Sequence, residues 1–430
     1  MARLRRRGIA GVDGSDRRVD RWGEELLVLV VQSGGTAYEQ VTADLSADGV
    51  ARAIGWLRRR VARDPTARVT EPPPPQALAQ TMAGAPPRDP SAASPGDWLT
   101  ALDELYQRGL RAGGSRIVYR GAHLSVDDCT TFYLDRARDL GQRVVRTRAG
   151  LTLVAWTGSA PAVDEAARAG TIGLEALAIE PPELEAAADR ALAQLTARAA
   201  PTGSLDVVLD PSVSALLALD VLAPLLGART WLTERTHLRG TPLGAAAGAP
   251  LRVTDDPTLP GGFGSYAFDD EGRAATATVL VDGGKVVAPL TDAASAAALR
   301  RPPSGNGRRD DGAALAPAPS NLAIGAGTTA DGAMVGAIDR GLVIEGGQSA
   351  TVAPDSLQVV IRAARAHGVR GGRFTGARYG AVALHARLPD LLDAVRAVGD
   401  RVVYRPRVAG GVAVAGGGPS IATRAEVDRG

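Results

Sequence analysis

Lysine is almost absent from this chain. Lys285 is the single example, so nearly all of the 49 basic residues are arginine, a usage that reads as GC-rich coding. The arginines alternate with Asp and Glu and the formal net charge is only +2. That pattern argues against the one-sided basic patch of a nucleic-acid surface. Cysteine is as scarce: Cys129 stands alone, which excludes an intrachain disulfide and any multi-cysteine metal site and fits a reducing compartment. Aromatic residues make up 4% of the chain, so the core must come from Ala, Val and Leu. No apolar run approaches the roughly 18 residues of a membrane-spanning helix. The basic N-terminus, MARLRRRGIAGVDGSDRR, has no apolar segment behind it to make a signal peptide. The expectation is a soluble cytoplasmic protein with no nucleic-acid or membrane partner.

Self-sufficient catalytic signatures are also missing. His123, His237, His367 and His385 are the only histidines, and no HExxH pair occurs. A metal site built on His367 and His385 has no visible carboxylate or third ligand. There is no GxSxG elbow and no GxxxxGK[ST] loop. Cys129, in DDCTTFY, reads as a small inert residue. GAGTTADG (325–332) and AGGGPS (415–420) are too degenerate to mark nucleotide sites. The richest stretch is GGFGSYAFDDEGRAA, from Gly261 to Ala275, with Asp269, Asp270 and Glu271 in a row. On a strand, 269 and 271 share a face and 270 does not. Hard cations need oxygens converging on one point, so a turn with local hydrogen bonding is favoured over a metal site.

The length of 430 residues suits two or three domains. Leu26–Gln32 and Thr36–Leu45, separated by Gly34-Gly35, predict a hairpin. Ser46 predicts a helix cap, with Val50, Ile54, Leu57 and Val61 as the buried stripe. Residues 65–97 are Pro/Ala-rich and predict an exposed loop. Arg143–Ser159 reads as a second hairpin broken by a glycine, and Pro181-Pro182-Glu183 opens a helix buried through Leu184, Ala188, Ala191, Leu192 and Leu195. Val207–Leu209 begins a new unit, with a boundary near residue 200. Beyond it, strands are expected at Thr276–Val281, Lys285–Leu290, Gly341–Ile344, Ser356–Ala364, Phe374–Leu384 and Arg401–Tyr404, with helices at Pro211–Leu226 and Pro389–Val398. The expected fold is α+β: an N-terminal α/β domain over 1–200 and a C-terminal domain over 201–430 built on a large, mainly antiparallel sheet.

Several stretches in order resemble the TldD/TldE (PmbA) peptidase family: VVLDPS before an apolar helix, GSYAFDDEGRAATATVLVDGGKV, SGNGRRDD, PAPSNLAIGAG, GLVIEG and FTGARYGAVAL. The resemblance runs from about residue 22 and is weakest between 65 and 140. It implies a two-subunit machine in which a TldD subunit binds zinc through a helical HExxxH and a later cysteine, and a TldE subunit completes the chamber without them. Here the corresponding helix is Ser212–Gly227, where Ala218, Leu219 and Leu222 fall in place of His, Glu and His, and no cysteine follows residue 129. The resemblance therefore implies a non-catalytic, metal-free TldE/PmbA-like subunit, paired as a heterodimer with a zinc-bearing TldD-like subunit and acting on unfolded or small peptides. Leader-peptide trimming or natural-product assembly is a candidate pathway. The alternative is a peptide-binding or scaffold homodimer that kept the fold. Gly264 and Ser265 are expected to turn the chain and Phe268 to enter the core. Asp269, Asp270 and Glu271 are expected to pair with arginine or backbone N–H groups near a subunit seam or chamber wall. Asn306 and Arg308, from the SGNGRR loop, join them as substrate or interface residues.

Overall fold

The computed structural model describes residues 1–33, 36–66, 86–135, 137–158, 160–233, 251–310 and 314–430. Six strands form the first sheet: β1 (Ala2–Asp13), β2 (Asp16–Ser33), β3 (Thr36–Thr42), β4 (Ile117–Leu134), β5 (Asp139–Ala155) and β6 (Ala162–Gly170). Their order is β3-β2-β1-β4-β5-β6 and every pairing is antiparallel. The basic N-terminus, to which the sequence reading assigned no element, is thus a central strand. An Asp-Gly turn makes this possible, with Gly14 at φ +55° joining Asp13 to Asp16. Burial along β1 changes face midway: Arg3 and Arg5 are buried on one side, and Gly8, Ala10 and Val12 on the other.

Helices α1 (Ala47–Ala62), α2 (Pro95–Gly109) and α3 (Pro181–Gln194) accompany this sheet. α2 starts at a capping box in which Ser94 and Asp97 satisfy each other's backbone N–H groups. Trp98, Leu102 and Leu105 of α2 and Leu184, Ala187 and Ala188 of α3 pack on Leu124, Leu151 and Leu153. Each fully buried leucine there stabilises the fold by about 2 kcal/mol. Ser46 does cap α1, but the buried face is Gly49, Ala53 and Leu57, and Ile54 is exposed. The helix lies so close to Asp44 that a Cβ at Gly49 would come within 2.2 Å of its carboxyl carbon, which rotates the small residues inward. β5 runs unbroken through the glycine expected to divide it. Gly150 leaves room for the His123 ring, whose Cε1 would lie 2.7 Å from a Cβ. The expected loop over 65–97 lies largely outside the described residues, and its last residues already belong to α2.

The rest of the chain supplies β7 (Gly203–Leu209), β8 (Val253–Asp255), β9 (Thr278–Asp282), β10 (Lys285–Val286), β11 (Gly307–Arg308), β12 (Ala316–Pro317) and β13 (Asn321–Ile324). It continues with β14 (Arg340–Ala353), β15 (Gln358–Arg370), β16 (Arg373–Tyr379), β17 (Val382–Arg387), β18 (Ala397–Val398), β19 (Val403–Ala409), β20 (Val412–Gly418) and β21 (Ile421–Arg429). Phe374–Leu384 is therefore two strands, and the helix expected at 389–398 is limited to Leu388–Asp393 before β18 takes over. One sheet closes on itself: β14 pairs with β7, β7 with β21, β21 with β17, β17 with β15, and β15 with β14 again. The other has the order β10-β9-β8-β13-β20-β19. Most pairings are antiparallel, but β7–β14 and β13–β20 are parallel.

Between these sheets runs one continuous helical rod: α4 (Pro211–Leu216), a π-helical turn (Leu217–Leu222) and α5 (Ala223–Leu226). Val213, Leu217, Ala218, Val221, Leu222, Leu225 and Leu226 are all buried in the larger core. The rod packs directly on the glycine-rich β20. A Cβ at Gly416 would lie 2.5 Å from the Ala215 carbonyl oxygen, and one at Gly418 would lie 2.4 Å from Ser214 Oγ. The structure is a mixed α+β fold dominated by strands. Among the described residues no helix is long and apolar enough to cross a membrane.

Candidate functional site

The eight residues singled out from the sequence lie together where the first sheet meets the 256–275 loop. Gly264 is pressed against Ser320, whose carbonyl oxygen would be 2.2 Å from a Cβ, and its N–H donates to Asn321 Oδ1 at 2.9 Å. Ser265 Oγ donates to the Leu259 carbonyl at 2.6 Å. Phe268 is buried, and its carbonyl accepts from Gln142 Nε2 on β5 at 2.8 Å. The acids do not converge. Asp269, 1% exposed, accepts from the N–H groups of Glu271, Arg273 and Gly307. Asp270 pairs with Arg3 of β1 at 2.5 Å and accepts from the Arg309 N–H at 2.8 Å. Glu271 accepts from the Ala293 N–H at 2.7 Å. Burial pushes Asp269 up to about 6 despite its three donors, and burial together with the Asp269 charge pushes Glu271 up to about 7. These residues form a turn, not the strand on which 269 and 271 would share a face.

Asn306 is fully buried and donates to Asp255 Oδ2 at 2.7 Å, where Ser320 adds its N–H and hydroxyl. The Arg308 guanidinium lies over the Tyr266 ring, 4.5 Å from its centroid. Among the described residues no three His, Cys, Asp or Glu side chains are grouped to hold a metal ion. His237 lies outside the described residues.

None of these eight residues lines the largest cleft. That groove, about 1430 Å³, runs between β6, the outer edge of the first sheet, and the N-terminus of α4 with β14, β15 and β19. Its walls are charged, and several of the charges pair with one another. Asp164 takes Arg190 at 2.7 Å and Arg365 at 2.9 Å, so one carboxylate of β6 bridges to β15. Arg365 also meets Glu345, which His367 Nε2 approaches at 3.4 Å. Glu165 receives His123 Nε2 at 2.9 Å and Arg148 at 2.8 Å. Burial would raise the Glu165 carboxyl, but those two partners hold it down at about 2. The hydrogen bond from His367, with Arg365 beside it, outweighs burial at Glu345 and also holds it at about 2. At the groove floor Asp210 caps α4 and Ser212 Oγ accepts from the Gly347 N–H at 2.8 Å. Sequence reasoning missed this site because its charges come from segments far apart in the chain, and only the adjacent Asp164-Glu165 gave a local signal.

The helix aligned with the metal-binding element is apolar throughout its inward face. Ala218 and Leu222 are 0% exposed and Leu219 is 8% exposed. Counting His-Glu-x-x-x-His from 218 places the second imidazole at Ala223 rather than Leu222; Ala223, 8% exposed, is equally apolar. Asp220 points outward to Arg407.

Residues 202–425 match the PmbA/TldA metallopeptidase C-terminal domain. A metalloprotease from Methanothermobacter thermautotrophicus is 33% identical over 169 residues, 38% of this chain and 37% of the relative. A metalloprotease from Synechocystis is 33% identical over 126 residues, 29% of this chain and 27% of the relative. The alignments thus span about a third of the length of these curated relatives. Among solved structures, a putative modulator of DNA gyrase from Thermotoga maritima has a TM-score of 0.80 at 17% identity, covering 99% of this chain and 95% of its own. TldE from Thermococcus kodakarensis also has a TM-score of 0.80 at 17% identity, covering 100% and 96%. At that identity the likeness establishes the fold.

Proposed function

This chain belongs to the PmbA/TldD metallopeptidase family, whose C-terminal domain spans more than half of it, and from that premise we propose that it is the TldE/PmbA-like, non-hydrolytic half of a two-subunit peptidase. A zinc-bearing TldD-like partner supplies the hydrolytic centre, and the pair acts on unfolded or small peptides. The observation that carries this reading is the buried helical rod. Ala218, Leu219, Leu222 and Ala223 offer zinc no lone pair, and the polypeptide has no cysteine beyond 129. These residues do not fit a zinc site, and no step of hydrolysis is assigned to them.

What this chain contributes is a wall and an edge. Among the described residues β6 pairs with β5 alone; its Val163 and Glu165 carbonyls accept from Gln194 and Arg190 of α3, and its Ala167 and Ala169 line the groove. An extended peptide can pair there through main-chain hydrogen bonds that demand little of its sequence. Asp164, Glu165 and Glu345 are already held by arginine or histidine, while Arg373 and Asp331 line the groove with no ion pair among the described residues. Leader-peptide trimming or amide cleavage in natural-product assembly, in the cytoplasm, is the setting proposed.

The test is co-expression. Purified alone, the chain is expected to carry no stoichiometric zinc and to leave unstructured peptides uncut. Co-purified with a family member bearing HExxxH, it is expected to give a heterodimer with one zinc and peptidase activity. Stoichiometric zinc or cleavage in the isolated chain refutes the assignment. A stable homodimer that recovers no HExxxH partner from the native host identifies a peptide-binding scaffold instead.

A further inference from the structure

A second, smaller cavity lies beneath the first sheet, away from the groove. Strand register builds its roof. Arg3 stands opposite Thr131, which stands opposite Gln142; Arg5 stands opposite Cys129, and Asp127 opposite Arg146. Alternation puts these side chains on one face of β1, β4 and β5. The Tyr266–Asp270 segment, Arg308 with Arg309, and the β19–β20 turn at Gly411 close it from below. The space is about 50 Å³. At roughly 10–15 Å³ for each water, that is about three to five waters, the size of a tetrahedral oxyanion and too small for a metabolite.

Among the described residues its lining is more basic than acidic. Five arginines line the cavity, with Asp127 and Asp270 as the carboxylates among them. Asp127 holds Arg5 through two bonds of 2.6 and 2.8 Å, and Asp270 holds Arg3. Arg309 reaches Glu39 at 2.8 Å. Arg146 and Arg308 form no ion pair among the described residues. Arg146 is 7% exposed and donates only to the carbonyls of Phe263 and Ser265, at 2.7 and 2.8 Å. Arg308 stacks on Tyr266, and its buried Nη1 has no hydrogen-bond partner. The two guanidinium groups repel each other across one small space, and burial together with the Arg308 charge outweighs the Asp127 carboxylate and pushes Arg146 down to about 10. An oxyanion relieves both defects, because guanidinium forks match its oxygens in charge and geometry.

We propose that this cavity is a binding site for a small tetrahedral oxyanion of the phosphate class, held by Arg146 and Arg308 and bracing the first sheet against the C-terminal sheets. The proposal stands apart from the peptidase reading and does not depend on it.

Inorganic phosphate is the probe, added to the full-length chain in low-salt buffer with chloride at matched ionic strength as the reference. Cys129, the only cysteine of the chain, lines the cavity and reports its occupancy. Saturable binding of one phosphate by equilibrium dialysis is expected, together with slower labelling of Cys129 by methyl methanethiosulfonate over the same concentration range. Arg308→Met is expected to weaken phosphate binding about tenfold or more. The same variant leaves anion-free thermal stability unchanged or higher, because it removes an unpaired buried charge. Arg146→Met is the second variant; if it fails to fold, Arg308→Met decides alone, since Arg308 makes no side-chain hydrogen bond among the described residues. No saturable binding, unaltered Cys129 labelling at saturating phosphate, or undiminished affinity in Arg308→Met overturns the proposal. An acidic side chain of a partner filling the cavity would appear as the first of these.

Discussion

The paired acids of the 269–271 turn make the chain's stability depend on pH in an unusual direction. The folded-state carboxyl of Glu271 lies at about 7 against an ordinary 4.5, and that of Asp269 at about 6 against 3.8. Both are raised, so the folded chain binds more protons than the unfolded chain between about pH 4 and 7, and stability must fall as pH rises through that window. The contribution is complete below the unfolded values and lost above the folded ones. At 1.36 kcal/mol per pH unit, the Glu271 share amounts to about 3 kcal/mol. Glu271→Gln removes this ionisation and keeps an oxygen for the Ala293 N–H. The variant is expected to match the wild type at about pH 4 and to exceed it by about 1–3 kcal/mol at pH 8, with a shallower slope between, the remainder belonging to Asp269. Because a chain with separate cores need not unfold in one step, amide exchange at Gly272, Arg273 and Gly307, all hydrogen-bonded to Asp269, is the sharper readout. Protection that is flat or rising from pH 5 to 8 after correction for intrinsic exchange, or a variant profile parallel to the wild type, would refute the reasoning.

Asp270→Ala withdraws the carboxylate that ties Arg3 and the Arg309 N–H to the turn. A loss of about 2–3 kcal/mol is expected, with faster amide exchange in β1 and partial recovery in Asp270→Asn. Unaltered exchange, pairing and peptidase activity would remove Asp270 from both the structural and the functional account. Gly416→Ala places a methyl 2.5 Å from the Ala215 carbonyl and 2.9 Å from Leu219 Cβ, so overpacking of about 1–3 kcal/mol is expected as a lower melting temperature. Gly332→Ala, with nothing within 4 Å of the new carbon, is the neutral control; equal melting temperatures for the two variants would contradict the close packing of the helical rod on β20.

Short-range rules carried much of the fold. Ser46, Pro181 and Asp210 begin helices as caps or first-turn residues, and Asp282-Gly283-Gly284 turns a hairpin, though β10 returns for only two residues. Where such rules failed, a neighbour remote in sequence was responsible. Gly150 reads as a break and is a mid-strand clearance for His123, while Ile54 reads as core and faces outward because Gly49 and Ala53 lie against the sheet. Arg3 and Arg5 read only as part of a basic N-terminus, since their partners Asp270 and Asp127 lie far along the chain. The groove was equally hidden, because Asp164, Arg365 and Glu345 carry no spacing that relates them.

Residue identity by itself determined the absence of imidazole, carboxylate and thiolate from helix positions 218, 219, 222 and 223, because no packing can create a donor atom that a side chain lacks. It also determined the strand-rich α+β character, through alternation and turn residues that act over a few positions. Only the tertiary structure decided that the 269–271 acids separate onto different backbone donors, that β6 is an edge strand beside a charged groove, and that arginines from distant segments crowd one small cavity. Those properties are sums over charges and surfaces brought together by strand pairing, and the energy of each depends on distances that do not exist until the sheets have closed.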